Sequence, residues 1–200
     1  MLDLGGQILL FDPSFGPDSF EDSIEVKAIY ASHAHYDHIG GISSWKDQFP
    51  HIPFLMHPAD EPMLEDPAVN ASLFFGRPQV FSKPDQALSD GQLIQAGNAY
   101  TIEVINTPGH TMGSSCFLIN RQEDSQPVPI ALLTGDTLFD RSWGRTDFVT
   151  GDEDLMRGSL ERLYQLLTAL PLHLPVCPGH GSITNAQEAA RFLASMGFSG

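Results

Sequence analysis

The sequence predicts an α/β fold, and two observations carry that prediction. Short apolar, β-rich runs recur along the 200 residues, separated by clusters rich in Pro, Gly, Asp and Ser. A few other stretches carry apolar residues at helical spacing instead. In chain order the candidate strands are 7–12, 26–32, 53–57, 92–96, 101–106, 116–119, 130–134 and 174–177. Each is an apolar run that stops at a turn cluster. Helices are expected over 43–48, 59–64, 153–170 and 186–196. In the third, Met156, Leu160, Leu163, Leu167 and Leu170 recur every three or four residues, so one face is buried. Thr184 or Asn185 can cap the fourth, and Gly197 can end it. Residues 121–129, Arg-Gln-Glu-Asp-Ser-Gln-Pro-Val-Pro, read as an exposed hairpin loop. Residues 65–90 read as an irregular segment of the kind that shapes sites.

Composition narrows the function. The length suits a single domain over 1–200, and 42% apolar residues supply a sizeable core. Twenty-five acidic residues against ten basic ones give a net charge of -15. Such a surface repels phosphate backbones and anionic lipid, so neither nucleic acid nor a membrane is expected as a partner, and a small-molecule substrate is. The first residues lack a basic region followed by a long apolar core, so a cytoplasmic location is expected. Cys116 and Cys177 lie in apolar runs and do not form a disulfide framework.

Four clusters carry the chemistry: His-Ala-His-Tyr-Asp-His at 33–38, Thr-Pro-Gly-His-Thr at 107–111, Thr-Gly-Asp-Thr-Leu-Phe at 134–139 and Pro-Gly-His-Gly at 178–181. Each follows an apolar run, so strands can deliver all four to a common rim. Taken singly the last three are weak signals, since Gly-Asp after a strand or a His in a loop is commonplace, while His-x-His-x-Asp-His is the more informative. Together the four hold five of the eight histidines. In an extended segment residues two apart share a side, so His33 and His35 can grip one metal, with His110 as a third imidazole. The turn at Tyr36–Asp37 presents Asp37 and His38 to a second metal, where His180 joins them. Asp136, with two carboxylate oxygens, can bridge both ions. Two divalent cations against Asp37, Asp136 and a bridging hydroxide leave the site net positive, ready for an oxyanion. His51, His57 and His173 read as ordinary surface or strand-end histidines, with His57 the nearest to the clusters.

In order and separation these clusters resemble those of the metallo-β-lactamase-fold superfamily, from about residue 2 to about residue 185. Gly-Asp-Thr-Leu-Phe at 135–139 and Gly-Arg-Thr-Asp-Phe at 144–148 resemble the glyoxalase II-like (hydroxyacylglutathione hydrolase-like) branch. The resemblance implies a four-layer αββα sandwich of two mixed sheets flanked by helices, with a dinuclear site at one edge of the sheets. It implies two divalent metal ions, zinc first, with iron or manganese as alternatives. It implies a thioesterase acting on a glutathione thioester through a metal-bridging hydroxide, with Asp37 catalytic in holding one metal and hydrogen-bonding the nucleophile. Only nineteen residues follow Pro-Gly-His-Gly, which resembles the compact single-domain members that lack a C-terminal helical domain. The first strand looks shortened to residues 1–4. That predicts an open edge at 7–12, and with it a homodimer contact or exposure near Ile8–Phe11. Gly-Arg-Thr-Asp-Phe also resembles a segment of persulfide dioxygenases, which use one iron, so an oxygenase is the first alternative. A lactonase or phosphodiesterase on the same fold is the second. Arg145, in a Gly-flanked loop, is expected either to bind an anionic substrate end or to brace the loop through Asp147.

Overall fold

The computed structural model describes residues 1–19, 25–123 and 126–199. Backbone contacts divide the chain into two compact units, Met1–Leu88 and Ser89–Gly200. Each has its own mixed sheet, core and flanking helices, so the α/β class and the two mixed sheets expected from the sequence are what the chain forms.

The first unit holds a five-stranded sheet in the order β1 (Leu2–Asp3), β2 (Gln7–Phe11), β3 (Glu25–Tyr30), β4 (Phe54–Met56), β5 (Gln86–Ala87). Only the β1–β2 pair is antiparallel. Phe54, Leu55 and Met56 are all buried, the unbroken apolar run of an interior parallel strand. The helices α1 (Tyr36–Ile39), α2 (Ile42–Gln48) and α3 (Glu61–Leu64) add Ile39, Ile42, Trp45 and Leu64 to a core with Ile29, Phe54 and Met56. A Cβ at Gly41 would meet the Phe15 carbonyl oxygen at 2.2 Å, so glycine lets α2 approach that backbone. Trp45 Nε1 then donates to the same carbonyl at 2.8 Å. The exposure expected at Ile8–Phe11 is not found. Asp3 accepts the N–H groups of Gly5 and Gly6 in a left-handed turn, β1 folds back onto Ile8 and Leu9, and Ile8, Leu9 and Leu10 are buried.

The second unit holds a six-stranded sheet in the order β13-β12-β9-β8-β7-β6. The strands are β6 (Leu93–Ala96), β7 (Tyr100–Asn106), β8 (Ser115–Glu123), β9 (Gln126–Gly135), β12 (Pro175–Pro178) and β13 (Thr184–Asn185). β10 (Leu138–Phe139) and β11 (Ser142–Trp143) form a separate ribbon. Only the β9–β12 pair is parallel. α4 (Glu153–Ala169) starts at Asp152, whose side chain accepts from Leu155 N at 2.9 Å. It buries Met156, Leu160, Leu163 and Leu167, the stripe read from the sequence. α5 (Ala186–Ser195) is capped by Asn185, and Gly197 follows it with φ 95°. Residues 121–129 are not a loop: β8 and β9 run on until Glu123 pairs with Gln126. Their polar and Pro-rich sequence reflects a hairpin end bathed in water, and Pro129 pairs with Asn120 at a register shift between Ile119 and Asn120. Residues 124–125 lie outside the described residues. No helix among the described residues is long and apolar enough to cross a membrane.

Candidate metal centre

Strand direction sets where the ligands emerge. In the first unit β2, β3 and β4 run parallel, so the residues after their C-terminal ends share one rim. His33 and His35 follow β3, and Asp37 and His38 ride on the single turn of α1. His33, His35 and His38 are buried. The His33 and His35 rings meet edge to face at 4.8 Å, and His33 and His38 lie 4.1 Å apart between ring centres. Ligand atoms of His33 and His35, of His33 and His38, and of Asp37 and His38 each lie within 4.8 Å of one another.

In the second unit β7, β9 and β12 point the same way, because β7 and β9 are both antiparallel to β8 and β12 is parallel to β9. His110, Asp136 and His180 follow those three strands. Gly179 N donates to Gly135 O at 2.8 Å, tying two of these ends together. His110 Nε2 lies 3.6 Å and His180 Nε2 3.5 Å from the same oxygen of Asp136. Two ligands at normal metal–ligand lengths and tetrahedral angles stand about 3.4 Å apart. The spacing is therefore that of neighbouring ligands, longer than a good hydrogen bond.

The hydrogen bonds behind the imidazoles decide which nitrogen faces outward. Ser32 Oγ donates to Asp12 Oδ2 at 2.7 Å, so at 3.0 Å it accepts from His33 Nδ1. Asp12 Oδ2 also lies 3.1 Å from His38 Nδ1, and a carboxylate accepts. His110 Nδ1 donates to the Arg145 carbonyl at 2.8 Å. In all three rings Nδ1 carries the hydrogen, leaving the Nε2 lone pair for a cation. This donor set, neutral imidazoles with carboxylates, fits divalent zinc, iron or manganese.

Close backbone approaches hold the second set. At Gly109, φ 141°, a Cβ would sit 2.4 Å from Met156 Cα, so the Pro-Gly-His turn rests on α4. Ser159 Oγ donates to Pro108 O at 2.7 Å from the same helix. At Gly144 a Cβ would meet the Asp136 carbonyl oxygen at 1.9 Å and His110 Nδ1 at 3.1 Å. Arg145 forks onto Asp147 with two 2.8 Å bonds, and its guanidinium lies 4.7 Å from the Phe148 ring centre. That ion pair holds the Asp147 carboxyl below the ordinary carboxylate value.

The structure thus gathers His33, His35, Asp37 and His38 in one unit and His110, Asp136 and His180 in the other. Sequence reasoning passed over Asp12, Ser32 and the Arg145 carbonyl. Asp12 ended an expected strand, but an acid straight after an apolar run was a usable signal; the structure gives it φ 48°. A main-chain oxygen has no sequence signature. His57 accepts from Ala59 N and opens the turn at 58–60, while His51 and His173 are exposed.

Two mixed sheets delivering His and Asp ligands from strand ends define a metal-dependent hydrolase fold. The chain belongs to the metallo-beta-lactamase superfamily, whose pattern matches residues 3–197. It is 30% identical over 184 residues to a probable metallo-hydrolase, YqgX, of Bacillus subtilis, covering 90% of this chain and 82% of that one. A probable hydroxyacylglutathione hydrolase of Schizosaccharomyces pombe is 30% identical over 86% of this chain and 55% of its own length. Among solved structures, BLEG-1, a B3 metallo-beta-lactamase, is 32% identical with TM-score 0.79, covering 94% of this chain and 88% of that one. TTHA1623, solved in a di-iron-bound form, is 27% identical with TM-score 0.69, covering 91% and 86%.

Proposed function

We propose that this chain is a two-metal hydrolase of thioesters of the S-acylglutathione kind, and that its two units work as one domain. The single family match across the boundary at Leu88 supports the second point. In this reading His33, His35 and His110 serve one ion, Asp37, His38 and His180 serve the other, and Asp136 bridges. The carrying observation is at Asp136, where two imidazoles flank one carboxylate oxygen at ligand spacing. A lone iron held by two His and one Asp would give His180 no such task.

Two bound divalent ions would supply water activated near neutral pH and a Lewis acid for a carbonyl oxygen. Asp37, its side chain 32% exposed, can accept a hydrogen bond from the attacking water and hold it in line. Asp12 and the Arg145 carbonyl keep three imidazoles in one tautomer. A thiol ionises near pH 8.5, so a thiolate leaving group asks less of a general acid than an alkoxide. The fission-yeast relative's name favours the thioester, and the di-iron relative favours two ions. Zinc is the first choice here, with iron or manganese as alternatives. The substrate is a small molecule in the cytoplasm, with Arg145 at the rim for an anionic end.

The test is metal content together with hydrolysis of S-lactoyl- and S-hexanoylglutathione, in air and under argon. About two ions per chain and equal rates are expected. His180→Ala should lose one ion and roughly 100-fold or more in rate, because the nucleophile needs both ions. Dioxygen uptake driven by glutathione persulfide, at full rate in His180→Ala, would overturn the reading.

A further inference from the structure

Between α3 and β5 the chain builds a loop whose polar residues turn inward and whose apolar residues turn outward. Asn70 and Ser72 are fully buried. Asn70 Nδ2 donates to Gln79 O at 3.0 Å, Gln79 N donates to Ser72 Oγ at 2.9 Å, and Arg77 N donates to Ser72 O at 2.9 Å. Gln79 Nε2 reaches Ser43 Oγ at 3.2 Å, anchoring the loop on α2. Held this way, Leu73, Phe74, Phe75 and Val80 stand 56%, 89%, 48% and 59% exposed. A preorganised loop that presents four large apolar side chains to water is a binding surface in want of an apolar occupant.

Its position names the occupant. Tyr36 sits between His35 and Asp37, and its N–H donates to Asn70 O at 2.8 Å. Its ring lies 5.6 Å from Phe75 and 6.3 Å from Phe81, and Phe74 meets Phe75 edge to face at 5.9 Å. An unbroken aromatic path therefore runs from the metal-ligand segment out to Phe74. We propose that this loop is the acyl shelf of the site, selecting substrates whose acyl group is apolar and of medium length over short or hydroxylated ones. The proposal rests on the hydrolase reading for its reaction but not for its binding preference. Each buried methylene is worth roughly fourfold in affinity, so four half-covered methylenes give about tenfold.

The test uses metal-loaded protein and two pairs of probes: hexanoate and acetate for binding by calorimetry, and S-hexanoyl- and S-acetylglutathione for turnover. The wild type should bind hexanoate about tenfold more tightly than acetate and prefer the hexanoyl thioester by a similar factor in kcat/KM. Phe74→Ala with Phe75→Ala should bring both ratios near one while acetate binding stays within about twofold. Phe74→Ala alone, at an almost fully exposed side chain, guards against misfolding and should reduce the binding ratio by about threefold. A wild-type binding ratio near one, a ratio that survives the double substitution, or equal losses on both probes would each overturn the proposal. If neither thioester is turned over, the hydrolase reading falls and the carboxylate ratio still decides the shelf. A dimer in sedimentation that Phe74→Ala dissolves, with the carboxylate ratio unchanged, would assign the face to a second copy of the chain and overturn the proposal too.

Discussion

At the scale of single residues, Asp12 braces two of the candidate metal-binding imidazoles, one directly and one through a serine. One carboxylate accepts from Ser32 N at 2.6 Å and from Ser32 Oγ, and pairs with His38 Nδ1. It thereby sets the tautomer of His38 directly and of His33 through the serine. Asp12→Asn is the informative change, since asparagine tolerates the left-handed backbone at this position yet keeps only one acceptor oxygen. Metal affinity should fall about 10- to 100-fold, measured by chelator competition, with little change in thermal stability of the metal-free protein. An unchanged affinity would reduce Asp12 to a turn residue. The candidate ligands could be picked from the sequence because coordination chemistry admits few side chains, and they stood at the ends of apolar runs. Their supports were not, because serine, aspartate and a carbonyl are ordinary turn furniture until the fold aims them.

At the scale of elements, α4 shows why some structure reads easily. Its apolar stripe follows the helical period over seventeen residues and its cap is an aspartate, so pattern and outcome agree. Leu163 is fully buried on that stripe. Leu163→Ala should destabilise the fold by about 2–5 kcal/mol, seen as a lower urea midpoint. A loss under about 0.5 kcal/mol would mean the site collapses around the vacancy or that α4 is not packed as described. The β8–β9 hairpin shows the opposite case. Beyond Asn120 it leaves the core, both faces meet water, and the alternation that marks a strand disappears, so its paired end looked like a loop. The single turn of α1 was read as a turn but not as a helix, being too short for any periodicity, and it carries Asp37 and His38.

For the whole molecule, acid is the relevant stress because carboxylates paired in the folded state must be protonated. Two carboxylates anchor loops, one in each unit. Burial pushes Asp85 up, but Lys46 and the N–H of Phe54 outweigh it and hold it below the ordinary value. Burial likewise raises Asp90, while Arg162 and the N–H of Asn106 bring it down. A carboxyl depressed in the folded state stabilises above its unfolded value, and that contribution is lost as pH falls through the folded one. Stability should therefore decline below about pH 4, and Asp90→Asn should flatten the decline in urea midpoint against pH. The effect is modest, since the Arg162 and Asp90 side chains are 45% and 51% exposed and solvent screens them. An identical slope in Asp90→Asn would remove this pair from the account. At this scale the α/β class and superfamily were legible because four His- and Asp-bearing clusters each stood at the end of an apolar run. The apolar loop at 73–80 was not, because its outward side chains follow no period and its order comes from buried Asn70 and Ser72.

The bond from His110 Nδ1 to the carbonyl of Arg145 has an evolutionary consequence. Every amino acid supplies a main-chain oxygen, so no change of codon at 145 can delete this acceptor. A substitution there would cost the fork onto Asp147, while the ring behind it keeps its orientation. Gly144, one position earlier, has no such liberty, since any side chain would drive into the Asp136 backbone. Two adjacent codons thus face opposite constraints, one barred from any side chain by crowding and one whose acceptor survives every substitution.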